Sequence, residues 1–127
     1  MREILFRGKT STEWVYGDLR HLNDGRVAIR KDGEIYPYEV IPETVGQYTG
    51  LNDRNGKKIF EGDIVEGDKK YFTYTHPYGK VVYDGGQFVI SFDDVLEDIE
   101  CLGAWANAVE IIGNIHDNPE LMKEVQK

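Results

Sequence analysis

The 127-residue chain predicts a mainly β fold (β-rich α+β): a small open barrel or sandwich of antiparallel hairpins with one or two short helices, the last near the C-terminus. Two observations carry most of this. Asp24-Gly25, Asp32-Gly33, Asn55-Gly56 and Asp84-Gly85-Gly86 are corners able to take positive φ, as tight hairpin turns demand. Each lies between short runs rich in β-branched and aromatic residues, and helical spacing surfaces in only two places. Strands do not alternate with helices, so a parallel α/β sheet is not expected.

Taken in order, Glu3–Arg7 opens the sheet and Trp14–Leu19 forms a second strand. Val27–Arg30 and Ile35–Tyr38 flank the Asp32-Gly33 turn. Pro37 has no N–H for a ladder, so its strand lies at an edge or ends there. Val45–Thr49 follows, and Asp63–Glu66 is expected to pair with Tyr71–Tyr74 across Gly67-Asp68. Gly79–Tyr83 and Gln87–Ser91 form a hairpin closed by Asp84-Gly85-Gly86. Val109, Ile111, Gly113 and Ile115 alternate with period two, as a half-buried strand does.

Residues 93–106 place Val95, Leu96, Ile99, Leu102 and Ala106 at helical spacing, with Asp93 and Asp94 at the start. Gly103 weakens that helix, and a strand through Ile99–Cys101 is the competing reading. Asn118-Pro119 signals a short final helix, with Asn118 as cap and Pro119 in the first turn. Length predicts one domain over 1–127.

Composition narrows the function classes. Apolar residues make up 40% of the chain and aromatics 12%, values of a folded protein. One cysteine, Cys101, rules out an intramolecular disulfide and suits a reducing compartment. No run approaches a membrane span and Met1–Arg7 lacks a signal-peptide core, so a cytoplasmic protein without a membrane partner is expected. Residues 1–83 hold 13 acidic and 13 basic side chains, whereas 84–127 hold 10 and 2, so the whole net charge of −8 sits in the last third. Duplex nucleic acid is repelled by such an end. Its acids Asp93, Asp94, Glu97 and Asp98 form a candidate acidic face for a basic host protein, against the plainer reading of a solvated surface.

Candidate chemistry is sparse. His21, His76 and His116 lack metal-site spacing, and no catalytic, cofactor or metal residue is assigned. Cys101 reads as a small buried hydrophobe. Asp63 reads as a turn aspartate serving its own backbone. Gly85-Gly86 lacks the lysine and hydroxyl residue of a phosphate loop. The stretch 69–80 is more suggestive. Lys69, Lys70, Tyr71, Tyr74, His76, Tyr78 and Lys80 interleave cations with aromatic and imidazole rings, without an acid. Such a β surface suits single-stranded bases or a protein partner; the structural alternative buries Phe72 and leaves the tyrosines as a polar rim.

Four blocks carry a resemblance: Arg2–Gly8, Gln47–Val65 with Asn52-Asp53-Arg54-Asn55-Gly56 at its centre, Lys80–Phe88, and Val109–Leu121. Together they resemble the YopX family of bacteriophage and prophage proteins over essentially the whole chain, apart from 92–108. The resemblance implies a mainly β fold related to small open barrels and supplies no biochemical activity. The expectation is therefore a non-enzymatic phage accessory domain without cofactor. It binds a host or phage protein, or itself. Single-stranded nucleic-acid binding through Lys69–Lys80, and a small hydrolase or metal enzyme, are the alternatives.

Overall fold

The computed structural model describes residues 4–67, 78–92 and 99–123. Its order is β1 (Phe6–Lys9), β2 (Trp14–His21), β3 (Val27–Arg30), β4 (Tyr38–Val40), a 3-10 turn (Pro42–Thr44), β5 (Gly46–Asn52), β6 (Lys58–Phe60), β7 (Asp63–Glu66), β8 (Tyr78–Asp84), β9 (Gln87–Ser91), β10 (Ile99–Cys101), α1 (Leu102–Trp105), a second 3-10 turn (Ala106–Ala108), β11 (Glu110–Asn114) and α2 (Glu120–Lys123). Strand outweighs helix, 51% to 13%, in two antiparallel sheets, and neither closes into a barrel among the described residues. The expected mainly β architecture is thus present. The chain forms two compact units, Met1–Gly50 and Leu51–Lys127.

In the first unit the order is β4-β3-β2-β1-β5. Its core follows from strand alternation: Val15, Val27, Ile29 and Val40 are buried, and Phe6, Leu19, Tyr38 and Val45 pack against them. The sheet curls so that the chain beyond β4 returns to β1. The Ile41 N–H donates to the Lys9 carbonyl at 2.8 Å, and the Lys9 N–H donates to Thr44 Oγ1 at 2.8 Å. Gly17 faces Phe6 in the register, and a Cβ there would lie well inside van der Waals contact distance of the Arg30 carbonyl oxygen. Only glycine lets β2 approach β3 so closely.

The second unit holds a sheet of order β10-β9-β8-β7-β11. Ile59, Val65, Val81, Ile90, Phe92, Leu102, Ala106 and Val109 form its core. Each large side chain among them contributes about 1.5–3 kcal/mol by leaving water. The β8–β9 hairpin pairs Asp84 with Gln87. Its two-residue turn is therefore Gly85-Gly86 alone, with φ of 59° and 87°, the mirror-image geometry that matches strand twist.

Five expectations need correction. First, the opening strand begins at Phe6, and Ile4 is exposed. Second, Ile35–Tyr38 is not a strand: pairing starts only at Tyr38, opposite Ile29, because Pro37 cannot donate and the preceding residues form bends. The short β4 does lie at a sheet edge. Third, β7 does not take Tyr71–Tyr74 as its neighbour. A strand has two edges, and β8 and β11 occupy both, at Ile64↔Lys80 and Val65↔Ile111; residues 71–74 themselves lie outside the described residues.

Fourth, of the two readings open over 93–106 the strand through Ile99–Cys101 is the one found, paired with β9, and the helical one does not run through it; 93–98 lie outside the described residues. Ile90 sits opposite Glu100, and helix begins only at Leu102. Fifth, the alternation from Val109 to Ile115 is broken by a bulge between Ile111 and Gly113.

Candidate functional site

The most constrained polar centre lies in the second unit, where the turn between β5 and β6 meets the edge strand β11. Asp53 is 3% exposed. Its Oδ1 accepts from the N–H groups of Asn55 and Lys57, each at 2.9 Å, and its Oδ2 accepts from the Ile111 N–H at 3.0 Å. Burial pushes this carboxyl up, yet the Ile111, Lys57 and Asn55 amides and the Lys57 charge outweigh it and hold the group below the usual carboxylate range. Asp53 is therefore an anion neutralised by backbone dipoles. The neighbouring contacts reinforce the join: the Arg54 N–H donates to the Val109 carbonyl at 2.9 Å, and the Arg54 guanidinium pairs with Glu110.

Asp63 repeats the pattern one turn later. It is 2% exposed, and its Oδ2 accepts from the Phe60 N–H at 2.8 Å across the Glu61-Gly62 corner. The Gly62 carbonyl in turn accepts from the Ile115 N–H at 2.9 Å. Asp63 thus serves its own corner, as expected. Asn118 behaves differently from its assignment as a helix cap. Its side-chain Oδ1 accepts from the Asn114 N–H at 3.2 Å and faces Gly113, closing the loop after β11, while its main-chain carbonyl still accepts from the Leu121 N–H at 3.1 Å at the start of α2. Asn114 Oδ1 accepts from the His116 and Asp117 N–H groups, so the polar side chains of this block also turn to backbone.

The residues singled out for contact are placed as follows. Tyr78 and Lys80 lie two apart on β8, on one face of the strand and opposite to the core residue Val81. Both are half-buried, and Lys80 sits between Ile64 and Ser91 in the register. Lys69, Lys70, Tyr71, Tyr74 and His76, and the acidic set Asp93, Asp94, Glu97 and Asp98, lie outside the described residues.

His21 ends β2, exposed, and His116 is half-buried in the turn after β11. Among the described residues no group of three His, Cys, Asp or Glu side chains is arranged to hold a metal. Cys101 is not buried: it is exposed on the edge strand β10, with Sγ 3.5 Å from Gln87 Oε1. Among the described residues no helix is long and apolar enough to cross a membrane.

Sequence reasoning missed Asp53. The only local signal was its place two residues before Asn55 and four before Lys57, the spacing of an Asx-type turn. Its third donor lies 58 residues away.

This geometry defines a class of protein: an antiparallel β chain whose corners are closed by buried aspartates accepting from backbone N–H groups. The chain belongs to the YopX protein family, whose model matches residues 5–123. It is also similar to the crystal structure of protein EF1440 from Enterococcus faecalis, at 25% identity and a TM-score of 0.57, over 96% of this chain and 99% of that one. No curated protein matches the sequence.

Proposed function

We propose that this protein is a non-enzymatic phage or prophage accessory module that acts in the bacterial cytoplasm by binding another macromolecule or a second copy of itself. The observation that carries the reading is the use made of Asp53. Both its oxygens accept from main-chain N–H groups, so a buried acid at the centre of the family blocks is spent on architecture. Side chains suited to contact lie on the surface instead, with Tyr16, Tyr36 and Tyr83 all exposed. Light scattering across a concentration series, together with turnover assays on broad phosphatase, esterase and nuclease substrates, tests it. Turnover that survives purification by two independent routes would contradict it.

Single-stranded nucleic acid is the second reading, favoured by Tyr78 and Lys80 sharing one face of β8. Binding of labelled oligonucleotides that weakens as salt rises supports it. Absence of salt-dependent affinity removes it.

A further inference from the structure

The connection between β3 and β4 carries two neighbouring apolar side chains in water: Ile35 is 83% exposed and Tyr36 81%. Isoleucine is among the residues most often buried, and single exposed apolar residues are ordinary, but an adjacent pair at this level is not. The loop beneath them is held in place. The Glu34 N–H closes a turn on the Lys31 carbonyl at 3.1 Å. Arg30 Nη1 donates to the Glu34 carbonyl at 3.0 Å while Nη2 binds Asp18 at 2.7 Å. Tyr38 Oη donates to Glu34 Oε1 at 2.7 Å, and the Lys31 ammonium sits 4.6 Å over the Tyr38 ring. Pro37 restricts the exit from the loop. A tip ordered before contact loses little entropy on binding, which is how a few anchor residues come to dominate an interface.

We infer that the Ile35-Tyr36 tip is a docking anchor for a different protein, one that offers an apolar pocket with a basic rim. This deepens the binding reading above and rests on it. The charge at the tip selects the rim. Asp32 and Glu34 flank it, whereas the nearest cations are engaged, Arg30 with Asp18 and Lys31 with Glu13 at 3.6 Å. A second copy fits poorly. A stable interface takes about 800 Å² from each side, and two projecting tips meeting about a two-fold axis bury little beyond these side chains.

The test places the photo-crosslinker benzoylphenylalanine at position 36 in one variant and at position 83, a second exposed tyrosine, in another. Both are irradiated in lysate of the bacterium that carries the gene. The expected result is one discrete protein adduct specific to position 36. Once identified and purified, that protein binds wild type at least tenfold more tightly than Ile35→Ser/Tyr36→Ser, and associates severalfold more slowly with Asp32→Lys. Circular dichroism of each variant checks that it remains folded. An adduct of twice the chain mass, a nucleic-acid adduct, or affinity unchanged in the double variant overturns the inference. Adducts at 83 alone overturn this surface and leave the binding reading standing. Adducts at neither position overturn both.

Discussion

The Asp53 turn and the Ile35-Tyr36 tip invert the usual distribution of polarity. In the second unit an ionised carboxylate is buried; in the first, an isoleucine and a tyrosine stand in solvent. Each arrangement is costly alone, and each is made tolerable differently. Three main-chain donors compensate the carboxylate, and its loss would leave them unsatisfied in a low-dielectric site. The apolar tip has no such donors to offset its exposure, and under the docking proposal a partner's pocket would cover it. A residue retained for the fold and one retained for contact are thus separable by what their removal does.

Removing the carboxylate sharpens this contrast most. Asp53→Ala strands the N–H groups of Asn55, Lys57 and Ile111 and is expected to cost about 3–5 kcal/mol, at 1–3 kcal/mol for each buried unsatisfied group and with partial rescue by water. Urea unfolding followed by far-ultraviolet circular dichroism measures it; a loss under 1 kcal/mol would break the comparison. Within the first unit, Gly17→Ala drives a methyl group onto the Arg30 carbonyl oxygen. It is expected to cost about 2–4 kcal/mol, in the range of overpacking that backbone cannot relieve. A variant as stable as wild type would show that β2 and β3 separate easily.

Acid titration gives a smaller, directional effect. The Asp53 carboxyl titrates in the folded protein below its ordinary 3.8. Its contribution is therefore complete above that value and is withdrawn as pH falls through the lower folded-state value. Stability of wild type should fall across this acid window, and Asp53→Asn should flatten the fall while lowering stability at neutral pH. Parallel curves for the two proteins would assign the acid sensitivity elsewhere. The smallest effect belongs to the tip: Ile35→Ser/Tyr36→Ser should change stability by no more than about 0.5 kcal/mol, as surface substitutions do. A larger loss would mean that the pair supports the fold.

What was legible in the sequence was local. Gly25, Gly33, Gly56 and Gly85-Gly86 all take positive φ, because that preference belongs to the residue and needs no tertiary partner. The β8–β9 hairpin and the strands Val27–Arg30 and Asp63–Glu66 were readable for the same reason. Ambiguity arose where one pattern suits two structures. Ile99, Leu102 and Ala106 keep helical spacing, yet pairing with β9 draws Ile99–Cys101 into a strand. Ile35 and Tyr36 have strand-like side chains, and only the proline and the Arg30 contacts show that they project.

The candidate site was less legible still. Asp63 was readable as a turn aspartate because its partner is three residues away. Asp53 was not, since Ile111 reaches it only through the fold. The edge position of Cys101 likewise depends on which strand ends the sheet.

Amide hydrogen exchange at Ile111, read by NMR on labelled protein, tests most directly whether the family's central turn is an architectural join. This N–H belongs to the edge strand β11 and is bonded to the Asp53 carboxylate. The account predicts strong protection in wild type and a loss of protection in Asp53→Ala that exceeds any change at Val81 in the core of the same sheet. Fast exchange at Ile111 in wild type, or equal protection in both proteins, would contradict it.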